Sequence, residues 1–128
     1  MKPVSKVFVY GALRRGASNH WRMEGAQLLG ETTVTGTLVK IDWYPGVVLE
    51  GETSVYGEVY EIDEKILAEL DEFEGIGNDS RTGEYERVTT VIDIDGRSHE
   101  VFLYEWQKGV SDYEIVPNGD WLTEDASR

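Results

Sequence analysis

The chain has 128 residues, 12 basic against 25 acidic side chains, a formal charge of −13 and no cysteine. That length suits one domain burying roughly two-thirds of its unfolded surface. The missing thiols exclude disulfides and thiolate metal sites, and so acidic a surface opposes the phosphate contacts that nucleic-acid binders need. With no signal-peptide core and no run of ~20 apolar residues, the expectation is a cytoplasmic protein with neither nucleic-acid nor membrane partners.

The first element is "VFVYGALRRG", residues 7–16, in which Val7–Tyr10 read as a strand entering a loop framed by Gly11 and Gly16. Successive backbone N–H groups at such a strand end can form a nest for an anion, and glycine lets a ligand approach the main chain. Neither the Gly-Lys-Ser/Thr of a P-loop nor a G-x-G-x-x-G fingerprint is present. The plain alternative is a turn with two solvated arginines, Arg14 and Arg15. A short helix is expected after Ser18-Asn19, through "HWRMEG".

Strand patterns follow in "GETTVTGTLVKID", "YPGVVLE", where Pro45-Gly46 supplies the turn, and "SVYGEVYEID". Alternation puts Tyr56, Glu58 and Tyr60 on one face. Facing inward, Glu58 would need a partner such as Arg87 and could act as a base; an outward or structural role is the simpler reading.

One segment has a clear helical period, "DEKILAELDEFEG": Ile66, Leu67, Leu70 and Phe73 form one stripe, Asp63 caps it, Glu64 suits its positive end and Gly75 stops it. Asp71, Glu72 and Glu74 cluster at its end. Glu69 and Glu72 read as solvated. Glu74 follows an apolar Phe73, and a carboxylate facing the negative end of a helix and half-buried by aromatic rings has a raised pKa, suited to a general base near neutral pH. A solvated capping glutamate is the plain alternative.

Asp95-Gly96 then joins two strands of about 88–94 and 98–105 in a hairpin. Tyr85, Tyr104 and Trp106 are core-type aromatics near strand ends that could also orient a ligand. His20 and His99 have no spacing that defines a triad or metal site. Fourteen glycines suit a sheet that bends sharply. A single domain over 1–122 with a frayed 123–128 tail is expected.

Taken in order, "VFVYGALRRG" with "SNH", "YPGVV", "VYGEVYEID", "LAELDEFEG", "YERV", "VFLYEW" and "IVPNGDW" resemble the γ-glutamylcyclotransferase-like family, in particular its AIG2-like and small bacterial γ-glutamylamine cyclotransferase-like members. The resemblance implies an α+β fold, a compact mixed β-barrel with a few flanking helices. It implies an enzyme of the acyl-transfer type that cyclises a γ-glutamyl-amine or γ-glutamyl-amino acid to 5-oxoproline and frees the amine, with no metal or other cofactor. By the same resemblance Tyr10, Gly11, Ala12 and Leu13 cradle the substrate's α-carboxylate, Glu74 is the general acid/base, and Tyr85 and Tyr104 line the pocket, with Arg87 completing a Y-x-R. Ala12 stands where the family usually carries Thr or Ser, which removes a hydroxyl and keeps the N–H. The amine half is expected to meet loops 75–84 and 107–116. The competing reading is a non-catalytic module that binds a small carboxylate or phosphate metabolite with the help of Arg14 and Arg15.

Overall fold

A computed structural model of the chain describes residues 4–74 and 84–122. Its strands are β1 (Val4–Val9), β2 (Gln27–Lys40), β3 (Pro45–Asp63), β4 (Tyr85–Ile94), β5 (Arg97–Trp106) and β6 (Glu114–Ile115), with a 3-10 turn at His20–Met23 and the helix α1 (Glu64–Glu74). They form one sheet in the order β4-β5-β1-β3-β2-β6, antiparallel except for the parallel β1·β5 pair. The sheet curls into a half-barrel. At its closing seam Thr32 Oγ1 of β2 donates to the Asp93 carbonyl of β4 at 2.8 Å.

Gly30 permits that approach, because a Cβ there would stand 2.7 Å from the Ile94 side chain. The Asp95-Gly96 turn is as expected, with φ of 50° and 83°, the left-handed pair of a type I′ hairpin. Its strands run longer than the pattern suggests, Tyr85–Ile94 and Arg97–Trp106. The two runs expected on either side of residue 50 are one strand, β3, whose pairing with β2 jumps from Thr53 to Val48. The intervening residues bulge out around Gly51, at φ 126°, and Thr37 Oγ1 anchors the Glu50 carbonyl at 2.7 Å.

Alternation along β1 and β3 builds two apolar layers. Phe8, Tyr10, Val55 and Val59 point into the half-barrel with Leu38, Val47, Leu103 and Trp121. Val7, Val9, Tyr60 and Ile62 point outward beneath Ile66 and Leu70 of α1 and Met23 of the 3-10 turn. Central strands are therefore apolar on both faces, which is why Val7–Tyr10 is a continuous run rather than an alternating one. The expected cap is present: Asp63 Oδ1 accepts from the Ile66 N–H at 2.9 Å. The expected stop at Gly75 and the expected tail at 123–128 lie outside the described residues.

Candidate active site

Where β1 ends, a cavity of about 270 Å³ opens between the 10–13 loop, the β2–β3 connection and the C-terminal end of α1. Tyr10, Gly11, Ala12, Leu13, Glu74, Tyr85 and Tyr104 all line it, so residues spread over 95 positions of sequence come together in one place.

The loop is tightly folded. The Arg14 N–H donates to the Gly11 carbonyl at 3.0 Å, the Ala17 N–H to that of Arg14 at 2.8 Å and the Asn19 N–H to that of Ala12 at 2.8 Å. The N–H groups of Ala12 and Leu13 bond to no described residue. Gly11 packs against the Pro45 ring so closely that a Cβ would lie 2.7 Å from Pro45 Cδ, and the Pro45 carbonyl accepts from Tyr85 Oη at 2.6 Å. Gly11→Ala is accordingly expected to cost about 1–3 kcal/mol and to raise KM by shifting the loop. Thermal melts and substrate titration check both effects.

Below the loop lies the largest departure from the sequence reading. Arg14 is not solvated, and neither is Glu58, which lies on the outer face of β3 but is covered and takes the structural role; they are 7% and 1% exposed. Arg14 Nε donates to Glu58 Oε2 at 2.6 Å and Arg14 Nη1 to Asp120 Oδ1 at 2.8 Å, while Glu58 Oε1 accepts from the Arg15 N–H at 2.8 Å. Even-numbered β3 residues do share a face, but the 10–19 loop covers it at Glu58 and leaves Tyr56 exposed. The partner is Arg14, and Arg87 pairs with Asp71 instead. Of the two loop arginines it is Arg15 that is exposed, beside Glu31 at 3.5 Å.

The tyrosine rings face the cavity while their hydroxyls brace its walls. Tyr10 Oη donates to the Tyr104 carbonyl at 2.7 Å, and Tyr104 Oη to Asp71 Oδ1 at 2.7 Å. Burial pushes the pKa of Tyr10, Tyr85 and Tyr104 well above the usual phenol value, so all three stay neutral and none serves as a base. Asp71 was legible only as a helix-end carboxylate; its place is to hold Tyr104 and Arg87 together. Asp71→Asn should lower stability by about 1–3 kcal/mol, since it leaves that guanidinium without its counter-charge. Urea unfolding of the two proteins measures the difference.

Glu74 is the last residue of α1. Burial raises its pKa to about 8, against the opposing pull of Arg22 and with a further upward push from Glu84. Desolvation, rather than the helix dipole, is the main cause. Arg22 lies over the Phe73 ring, 4.0 Å from its centroid. Trp43 and Tyr44, at the tip of the β2–β3 connection, and Glu84 complete the mouth; an aromatic pair directly before Pro-Gly was the only hint of them in the sequence. Of the loops expected to meet the amine half, 75–83 lies outside the described residues. Among the described residues no three His, Asp or Glu side chains converge as a metal-ligand set, and no helix is long and apolar enough to cross a membrane.

The family described as gamma-glutamyl cyclotransferase, AIG2-like, matches residues 7–123. The gamma-glutamylcyclotransferase family protein YtfP of Escherichia coli K12 is 38% identical over 122 residues, covering 94% of this chain and 98% of its own. The gamma-L-glutamyl-butirosin B gamma-glutamyl cyclotransferase of Niallia circulans is 34% identical over 118 residues, covering 90% of this chain and 74% of its own. Among solved structures, an uncharacterised Pyrococcus horikoshii protein superposes with a TM-score of 0.76 at 27% identity, covering 96% of this chain and 94% of that one. An AIG2-like protein from Mus musculus gives 0.71 at 27% identity, covering 86% and 82%. With this fold and a match along nearly its whole length, the chain belongs to the AIG2-like gamma-glutamyl cyclotransferase family.

Proposed function

We propose that the protein is a γ-glutamyl cyclotransferase that converts a γ-glutamyl amide to 5-oxoproline and a free amine, with Glu74 as its general acid/base. The observation that carries this reading is a carboxylate with a pKa of about 8 in the same cavity as a strand-end loop whose Ala12 and Leu13 N–H groups bond to none of the described residues.

In this mechanism the substrate's α-carboxylate sits on the Gly11–Leu13 main chain, a nest that needs no side-chain hydroxyl and therefore tolerates Ala12. The tyrosine rings confine the glutamyl carbons. Glu74 takes a proton from the α-ammonium, and the freed amine attacks the γ-carbonyl carbon. As the new C–N bond closes the five-membered lactam, the ring nitrogen gives up its second proton and the bond to the amine half breaks; both protons shed by the α-nitrogen pass by way of Glu74 to the departing nitrogen, which leaves as an ammonium. Both reacting groups belong to one molecule, so folding the substrate into attack geometry supplies much of the rate. Protons balance, and no co-reactant is consumed.

Assay of 5-oxoproline release from a panel of γ-glutamyl amides tests the reading, with Glu74→Gln as control. Release by the native protein and its collapse in the variant is the expected result; no release from any amide, or equal release by both proteins, overturns it. The anion-binding reading loses its support from Arg14, which is committed to Glu58 and Asp120, and neither Arg14 nor Arg15 lines the cavity.

A further inference from the structure

The 3-10 turn ties the strand-end loop to the end of α1. Just before it, Asn19 gives its backbone N–H to the Ala12 carbonyl at 2.8 Å, and His20 Nδ1 donates to the Leu13 carbonyl at 3.0 Å. The same Asn19 also holds Arg22. Its side-chain Oδ1 accepts from Arg22 Nε at 3.1 Å, and its carbonyl accepts from the Arg22 N–H at 3.0 Å. The Arg22 guanidinium then lies against α1, 4.0 Å from the centroid of the Phe73 ring, whose residue directly precedes Glu74.

The partners of Arg22 set it apart from the other arginines nearby. Arg14 pairs with Glu58 and Asp120, Arg15 with Glu31 and Arg87 with Asp71. Arg22 makes no ion pair among the described residues. It is held by a neutral amide and by two rings, Phe73 and, at 4.3 Å, Trp21. Such partners fix a guanidinium in place without cancelling its charge. In a chain with 25 acidic side chains, that leaves a fixed positive charge beside a buried carboxylate, where Coulomb forces are stronger than in water. Arg22 opposes the effect of burial on Glu74, whereas Glu84 adds to it. Glu72 shares the cavity with like charge, and the tyrosines facing Glu74, Tyr10, Tyr44, Tyr85 and Tyr104, stay neutral.

We propose that Arg22 is a positioning residue that controls the proton on Glu74: held by Asn19 and two rings with no carboxylate of its own, it extends the pH range over which Glu74 is ionised. As a statement about catalysis, this inference rests on the cyclotransferase reading. It also gives the segment before α1 a part in both halves of the site, since Asn19 fixes the loop through its backbone and the cation through its side chain. An aspartate at position 19 would make the same contacts and neutralise the guanidinium; the amide makes them and leaves the charge to act on Glu74.

The test is a carbon NMR titration of the Glu74 carboxyl in the free protein, the signal being assigned by its loss in Glu74→Gln. Arg22→Met keeps an apolar stem between the rings and drops the charge; Arg22→Lys keeps the charge. The midpoint should rise by about one pH unit or more in Arg22→Met and stay near the native one in Arg22→Lys. Asn19→Asp should raise it by less. In kcat/KM for 5-oxoproline release, the ratio of Arg22→Met to native should be lower by about tenfold at pH 6 than at alkaline pH, because substrate ionisation is common to both proteins. Lost packing alone would lower that ratio equally at every pH. A midpoint unmoved in Arg22→Met, or moved as far in Arg22→Lys, overturns the proposal and leaves the cyclotransferase reading standing. A midpoint that moves as expected, with no 5-oxoproline released by the native protein, overturns that reading and leaves the control of the Glu74 proton by Arg22 standing. Should Arg22→Met not fold, Arg22→Gln, also neutral and able to keep the Asn19 contact, takes its place.

Discussion

Glu74→Gln should lower kcat by about 10²–10⁴ on any γ-glutamyl amide the protein accepts, with a smaller change in KM. The substitution keeps the shape of the side chain and removes its ability to take a proton, so a loss confined to kcat separates proton transfer from binding. The pH profile adds a second reading. Burial holds the free carboxyl at a pKa of about 8, so kcat/KM rises toward that pH as the base form accumulates. Once the substrate ammonium lies beside it, opposite charge favours the ionised form, and the acidic limb of kcat moves below that of kcat/KM.

The same shift ties Glu74 to stability. Between the ordinary value of 4.5 and about 8, the folded protein keeps a proton that the unfolded chain has released. Stability from this group is therefore complete below the first value and lost as pH rises through the second. Glu74→Gln lacks that loss. The melting temperature of the variant, relative to the native protein, should be higher at pH 9 than at pH 5. Parallel melting curves across that range would place Glu74 in a solvated setting and remove the basis for its role as a base.

The sequence carries such features unevenly. The hairpin, the Asp63 cap and the apolar stripe of α1 depend on neighbours in the chain, where turn chemistry and a 3.6-residue period act directly. The family pattern brought Tyr10–Leu13, Glu74, Tyr85 and Tyr104 together because it encodes a shared fold, which no periodicity in this chain does. The buried Arg14–Glu58 pair escaped both routes. Its partners are 44 residues apart, and Asp120 is another 62 positions beyond Glu58. A period of two tells which residues share a face, as Tyr56, Glu58 and Tyr60 do; it does not tell whether a loop will cover that face. Arginine in a polar, glycine-framed loop looks solvated until a third segment closes over it.

Removing one member of that pair is expected to be the most damaging substitution for stability. Glu58→Gln leaves the Arg14 guanidinium buried with Asp120 as its remaining charged partner, and breaking one side of a buried ion pair costs about 3–5 kcal/mol. For a chain of this size that lowers Tm by roughly 10–20 °C. Replacing both members by apolar side chains, Arg14→Met with Glu58→Leu, removes the uncompensated charge and should recover much of the loss, because desolvating two ions offsets most of what their attraction provides. Activity should part company with stability at that point. Glu58 Oε1 also holds the Arg15 N–H at 2.8 Å, and the Arg14 side chain ties the loop to Asp120, so the double variant folds without the two contacts that fix the loop beneath Gly11–Leu13. Its KM should stay raised by about tenfold or more while its Tm approaches the native value. If Tm and KM recover together, the pair stabilises the fold without positioning the loop; if KM remains high in a stable protein, the buried charges are kept for the geometry they impose on the site.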